Sequence, residues 1–351
     1  MKEAVFLQEV KEIQLLKNAL TLLDWDSSTG MPEKSSPFRG EVEGYLTGLY
    51  FERSIGPVIQ EALAYFETRP EELSELGKLV FEKVKEEYAL NKNVPAERMQ
   101  EYVKVLNQAH TDWLKARAAQ DFGLLEETLT KVVAFQKEFI PYWQKEEKTP
   151  YDVLLNQFEP GMTVEKLDQV FDQVKQGIQE IRTVLAEKGT PPRTDFLSRK
   201  MTKEQQRRFV IGVVEQLGYD FSKGRLDDTV HPFMTALNRN DARITTRWEE
   251  NNFSMATFGV IHEAGHGMYE QNFDPKFDFT PLSEGASMGI HESQSLFNEI
   301  IIGSNRAFWQ KQYPFFQECA EGTFDDIAFE DFYASLKETK ASLIRIDSDS
   351  L

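Results

Sequence analysis

Cysteine is almost absent: one residue, Cys319, stands among 351. No disulfide can form within the chain, and the composition suits a reducing compartment. Histidine is nearly as scarce, at five residues. No stretch approaches the roughly 18 consecutive apolar residues of a membrane-spanning helix. Positive charge is also short. Lys and Arg number 40 against 58 Asp and Glu, a balance of −18, whose field repels nucleic acid and anionic membrane, so neither is expected as a partner. The opening segment, MKEAVFLQEVKEIQLL, sets Glu3, Glu9, Lys11 and Glu12 among its apolar residues. It reads as an amphipathic helix rather than the apolar core of a secretory signal. The expected location is the cytoplasm.

What is present is a large supply of core. Hydrophobic residues make up 40% and include 26 Phe, which excludes a disordered chain. Their period is helical. Apolar residues recur three and four apart through Glu71–Leu90, Ala96–Gln120 and Val164–Gly189. Ser36 before Pro37 predicts a helix start. Thr202 with Gln205 predicts a capping box for a helix that Gly218 ends. Loops are expected at Thr29–Pro37, Gly189–Arg193 and Gly224–Asp228, where Gly, Pro, Ser and Asp gather. There is no fixed-period repeat and no composition shift to mark a boundary, so residues 1–351 are expected to form a single mainly α domain. One stretch alternates instead. In DARITTRW, Ala242, Ile244, Thr246 and Trp248 share one face, and Asp241, Arg243, Thr245 and Arg247 the other. This predicts a short strand, either a cleft wall presenting two arginines or an amphipathic edge strand with a solvated face.

Two of the five histidines lie four apart in VIHEAGHGMYEQ. On a helix that spacing puts His262 and His266 on one face, able to direct two imidazoles at one metal ion. Glu263 sits about 100° further round, placed to reach a water beside the ion without being a ligand. This is the HExxH pattern of zinc peptidases. Gly259, Gly265 and Gly267 each cost such a helix roughly 1 kcal/mol against alanine, which predicts that something approaches its backbone closely. A third ligand is sought in GIHESQSLFNE, itself helix-like. Glu292 lies 26 residues after His266, a separation like that of the glutamate ligand on a following helix in gluzincins. His291 is the rival. Adjacent helical residues diverge by about 100°, so only one of the two should touch the ion. The other would stand behind the ligands or on the substrate side.

With these residues the sequence resembles the M32 family of metallocarboxypeptidases, the carboxypeptidase Taq type. LDWDSSTGMPEKSSPFRGE (Leu23–Glu41) is similar to the family's N-terminal tryptophan–aspartate and methionine–proline block. YDVLLNQFEPGMT (Tyr151–Thr163), HPF (His231–Phe233) and DARIT (Asp241–Thr245, the DxRxT motif) match further segments, and HEAGH is followed by HESQS as in the family. The resemblance implies a large helical zincin-like metallopeptidase fold with a deep groove, with the strand near the site, and often a homodimer. It implies His262, His266 and Glu292 as ligands of one ion per chain, Glu263 as general base, and Arg243 as a substrate-holding residue. Leu296 stands where many members place an arginine. LIRIDSDSL (Leu343–Leu351) resembles an IRxxAD motif beyond which members generally continue, so the C-terminal part of the family fold is expected to lie outside these residues.

The chemistry that follows is hydrolysis of a peptide's C-terminal bond. A zinc ion lowers the pKa of a water toward ~7, and Glu263 takes its proton and delivers it to the leaving amine. Zn2+ suits the ligand set, while Co2+ and Mn2+ remain open. His231, 31 residues before His262, is the candidate donor to the developing oxyanion, or else a loop histidine capping a turn. A free C-terminal carboxylate calls for an arginine fork. Arg243 is the first choice, followed by Arg345 and Arg247, each equally explicable as a surface ion pair. Two alternatives stay open: a zinc endopeptidase or oligopeptidase on a related helical scaffold, and a metal-binding form without turnover.

Overall fold

The computed structural model describes residues 1–339, and Arg345 lies outside them. The chain divides into two compact units, one of Met1–Pro160 with Phe273–Glu284, the other of Gly161–Asn272 with the residues from Gly285 onward.

The first unit is helical throughout: α1 (Glu3–Thr29), α2 (Ser36–Ser54), α3 (Pro57–Phe66), α4 (Glu75–Asn91), α5 (Ala96–Ala119), α6 (Gly123–Trp143) and α7 (Pro150–Phe158). Phe6 and Val10 of α1 meet Ile59 and Phe66 of α3 and Val80 and Phe81 of α4 in one core. Val94, Phe135, Phe139, Trp143 and Val153 form a second. Each such side chain contributes roughly 1.5–3 kcal/mol through burial. Two starts differ from the sequence reading. Ser74 caps α4, its hydroxyl accepting from Gly77 N–H, so the helix begins four residues after Glu71. α2 begins at Ser36 with Pro37 in its first turn, and Ser35 precedes it without a side-chain cap.

The second unit holds α8 (Val164–Lys188), α9 (Lys203–Leu217), β1 (Leu226–Asp228), β2 (Met234–Asn238), β3 (Asp241–Thr246), α10 (Phe253–Gln271), α11 (Met288–Leu296), α12 (Arg306–Cys319) and α13 (Phe329–Ser335). The Thr202–Gln205 capping box is present, and Gly218 ends α9 at φ 115°, in the left-handed region that favours glycine. α8 has the predicted bounds but no fully buried residue, and Val170, Phe171, Val174 and Ile181 are exposed. Its period reported two faces without naming a partner for the apolar one.

β3 is the central strand, not an edge: the order is β1–β3–β2, with β1 parallel and β2 antiparallel to it. Both sides are bonded, and Ala242, Ile244 and Thr246 are fully buried. The Leu226–Asp228 part of the expected loop is β1. α10 packs on this sheet and on α9. Its Phe253, Val260, Ile261 and Ala264 enter a core with Phe209, Trp309, Phe316 and Phe332. The helix bearing the histidine pair is therefore fixed along its apolar side, which holds its polar side in place. Among the described residues no helix is long and apolar enough to cross a membrane.

Candidate metal centre

α10 turns His262 and His266 to one side, as their spacing requires, with ring centroids 5.0 Å apart. α11 lies against α10, and Gly265 explains how closely. A Cβ there would stand 2.7 Å from both Gln294 O and Ser295 Cα, and one on Gly267 would stand 2.6 Å from the Tyr219 ring. Two of the three glycines thus accommodate real approaches, one by a helix backbone and one by an aromatic ring. Gly259 does not, its nearest neighbour being Thr246 Oγ1 at 4.0 Å. Gly265→Ala is therefore expected to push α11 away, destabilise by about 1–3 kcal/mol and weaken metal uptake. Gly259→Ala is expected to be neutral or to stabilise by up to about 1 kcal/mol. Thermal melts and metal titration of the two variants check this contrast.

The close approach brings Glu292 to the histidines. His262 Nε2 is 3.7 Å from Glu292 Oε1, and His266 Nε2 is 3.4 Å from Glu292 Oε2. Both separations exceed an ordinary hydrogen bond. They sit close to the ligand–ligand edge of a tetrahedral zinc site, about 3.3 Å for bonds of 2.0–2.1 Å. Among the described residues, one nitrogen from each histidine and one Glu292 oxygen lie within 4.8 Å of one another. The group is half-buried, so a small ligand can reach it.

The nitrogens turned away from Glu292 are engaged. Glu299 Oε2 lies 2.8 Å from His262 Nδ1, and His266 Nδ1 lies 2.5 Å from His291 Nδ1. His291 Nε2 lies 2.8 Å from Oε1 of the buried Glu270. For His262, burial opposes the imidazolium, but the Glu299 hydrogen bond and the charges of Glu263, Glu299 and Glu292 outweigh it and raise its pKa. For His266, burial lowers the pKa, aided by the charges of His262 and His291, with Glu292 opposing. Glu263 is 7% exposed. Burial, reinforced by the negative charges of Glu292 and Glu299 and opposed by His262, lifts its pKa to about 7.

Arg243, on β3, donates from Nε and Nη2 to the two oxygens of Asp241 at 2.8 Å each, which occupies one edge of its fork. Arg247 pairs with Glu249 at 2.8 Å, and its buried Nε has no hydrogen-bond partner. His231 is exposed in the loop between β1 and β2. Glu299 and Glu270 escaped the sequence reading. Their traces are spacings: Glu270 follows His266 by four residues and Glu299 follows Glu292 by seven, each returning to nearly the same helix face.

Two imidazoles and a carboxylate at coligand distance, beside a buried glutamate whose carboxyl pKa burial pushes up to about 7, are the equipment of a metal-dependent peptide hydrolase. Comparison with known proteins narrows the class. The pattern described as carboxypeptidase Taq (M32) metallopeptidase matches residues 5–351. Carboxypeptidase 1 of Bacillus subtilis is 42% identical over 349 residues, covering 99% of this chain and 70% of that one. Thermostable carboxypeptidase 1 of Thermus thermophilus is 32% identical, covering 97% of this chain and 69% of that one. The crystal structure of the M32 carboxypeptidase from Deinococcus radiodurans superposes with a TM-score of 0.89 at 32% identity, over 97% of this chain and 68% of that one. The chain belongs to the M32 family of metallopeptidases. It is a metal-dependent carboxypeptidase with the mainly α fold of that family.

Proposed function

We propose that this chain releases C-terminal residues from peptides with one Zn2+ held by His262, His266 and Glu292, and with Glu263 as the general base. The observation that carries this reading is the convergence of the three ligand atoms within 4.8 Å beside the buried Glu263. Nitrogen donors with one carboxylate suit zinc, though the same set accepts Co2+ or Mn2+. When bound, the ion supplies Lewis-acid chemistry, lowering the pKa of a water and polarising the scissile carbonyl.

The protein's own groups do the rest. In the metal-free chain Glu263 holds a proton near neutrality because it is buried beside two carboxylates. Positive charge at its neighbours favours the carboxylate, which can then accept a proton from the attacking water and pass it to the leaving amine. Glu299 holds the His262 ring by its Nδ1 atom. Arg243, already oriented by Asp241, is the first candidate to receive the substrate's terminal carboxylate, with Arg247 next. His231 is the candidate donor to the oxyanion.

The test compares a peptide bearing a free C-terminus with its amidated twin. A lost charge-assisted contact is worth about 1.5–3 kcal/mol, so kcat/KM is expected to fall roughly 10–100-fold on amidation, and the fall should shrink in Arg243→Ala. Equal rates on the two peptides would point to an endopeptidase and remove the carboxylate clamp.

A further inference from the structure

The two histidines of the metal helix are supported differently. His262 meets a carboxylate directly, through Glu299. At its Nδ1 side His266 meets another imidazole, and on that side a carboxylate is reached only through that imidazole. Chemistry assigns the protons along this line. An ionised carboxylate only accepts, and a neutral imidazole has one N–H and one lone pair. Glu270 Oε1, 2.8 Å from His291 Nε2, therefore takes the His291 N–H. The lone pair of His291 is left on Nδ1, which lies 2.5 Å from His266 Nδ1. His266 must then carry its hydrogen on Nδ1. Its lone pair falls on Nε2, the atom that faces Glu292.

The surroundings hold this arrangement. Glu270 is 6% exposed, so its carboxylate relies on protein partners. The Tyr269 and His291 rings meet edge to face, with centroids 5.2 Å apart and planes at 85°. A Cβ on Gly285 would stand 2.5 Å from His291 Cδ2, so that glycine leaves the space in which the ring sits. Ser287 accepts from Ile290 N–H through its hydroxyl and from His291 N–H through its carbonyl, fixing the first turn of α11.

We propose that His291 and Glu270 form a positioning relay that dictates the tautomer of His266, presenting the Nε2 lone pair to the ion. Neither residue touches the ion or the substrate. The relay rests on the reading of His262, His266 and Glu292 as metal ligands, and it extends that reading to residues two steps removed. Support of this kind typically governs metal affinity by 10–100-fold.

A pair of substitutions separates the relay from mere packing. His291→Gln keeps an acceptor for His266 and a donor for Glu270 but changes the shape. His291→Phe keeps the ring and loses both polar functions. Zinc affinity is measured by competition with a chromogenic chelator on purified protein, and the tautomers by long-range 1H–15N correlation of the histidine rings. The relay predicts a 10–100-fold weaker zinc affinity for His291→Phe, a loss of less than about fivefold for His291→Gln, and an Nδ1–H tautomer at His266 in the unaltered chain. Intact affinity in His291→Phe, or an Nε2–H tautomer at His266 in the metal-free chain, overturns it. Because the tautomer is read without metal, the relay is judged separately. An unaltered chain that takes up no zinc refutes the ligand assignment, while one that binds zinc equally in all three forms refutes the relay. Gly285→Ala supplies a second route to the same ring: it should displace His291 and weaken zinc binding in a folded protein, and unchanged affinity there counts against the relay.

Discussion

Glu263→Gln is expected to lower peptide turnover by roughly 10²–10⁴-fold while the metal stays bound. Glutamine matches glutamate in shape but cannot accept the proton of an attacking water, and Glu263 is not among the three converging ligand residues. Turnover near that of the unaltered enzyme, at full metal content, would remove Glu263 from its role. The same substitution has an effect on stability. Glu263 titrates near 4.5 in an unfolded chain and is lifted to about 7 here, chiefly by burial. Between those values the folded metal-free chain binds more protons than the unfolded one, so the Glu263 contribution to stability falls as pH rises from about 4.5 through 7. At about 1.4 kcal/mol per pH unit the decline amounts to at most about 3 kcal/mol. Glutamine does not titrate. The difference between the urea stabilities of metal-free Glu263→Gln and of the metal-free unaltered chain should therefore grow by up to that amount between pH 4.5 and pH 8. A constant difference would mean that the carboxyl is not held protonated.

Stripping the metal with a chelator is expected to cut peptide release by at least about 10³-fold, since Lewis-acid stabilisation is worth several kcal/mol and each 1.4 kcal/mol is about tenfold. Adding Zn2+, Co2+ or Mn2+ back should restore turnover to levels that rank the three ions at this site. Glu292→Ala should behave as the stripped enzyme and fail to recover at stoichiometric ion, because two imidazoles alone leave the ion weakly held. Elemental analysis alongside a peptide assay checks both statements. Turnover that survives with the bound ion reduced to a few per cent of chains would end the metal-centred reading. The folded form alone offers the assembled site, so saturating ion should also raise the melting temperature by mass action.

The helix carrying His262 and His266 was legible because the four-residue spacing of the histidines is itself a helical signal, and the helix runs from Phe253 to Gln271. The capping box at Thr202 was legible because cap chemistry is local. Elements settled by distant partners were hidden. β1 has three residues, too few for any period, and exists because β3 bonds to it. β3 was readable as a strand but not as a central one, since its neighbours are set by tertiary pairing. Within the site, the three residues proposed as ligands were suggested by spacing and by family resemblance, and they do converge. Glu270 and Glu299 did not, because among 58 acidic residues a single glutamate carries no signal until a histidine is seen against it.

α11 does not end where its α-helical hydrogen bonding ends. It runs on as a π-turn over Phe297–Ile302, and Glu299 belongs to that turn while Glu292 belongs to the helix before it. Two successive carboxylates on one stretch of chain thus serve one metal helix, and only their interval delivers both to it. Adding or dropping one residue between them would swing Glu299 about 100° off His262 without touching Glu292. The number of residues between Glu292 and Glu299 is therefore as much a requirement of this arrangement as the two carboxylates themselves.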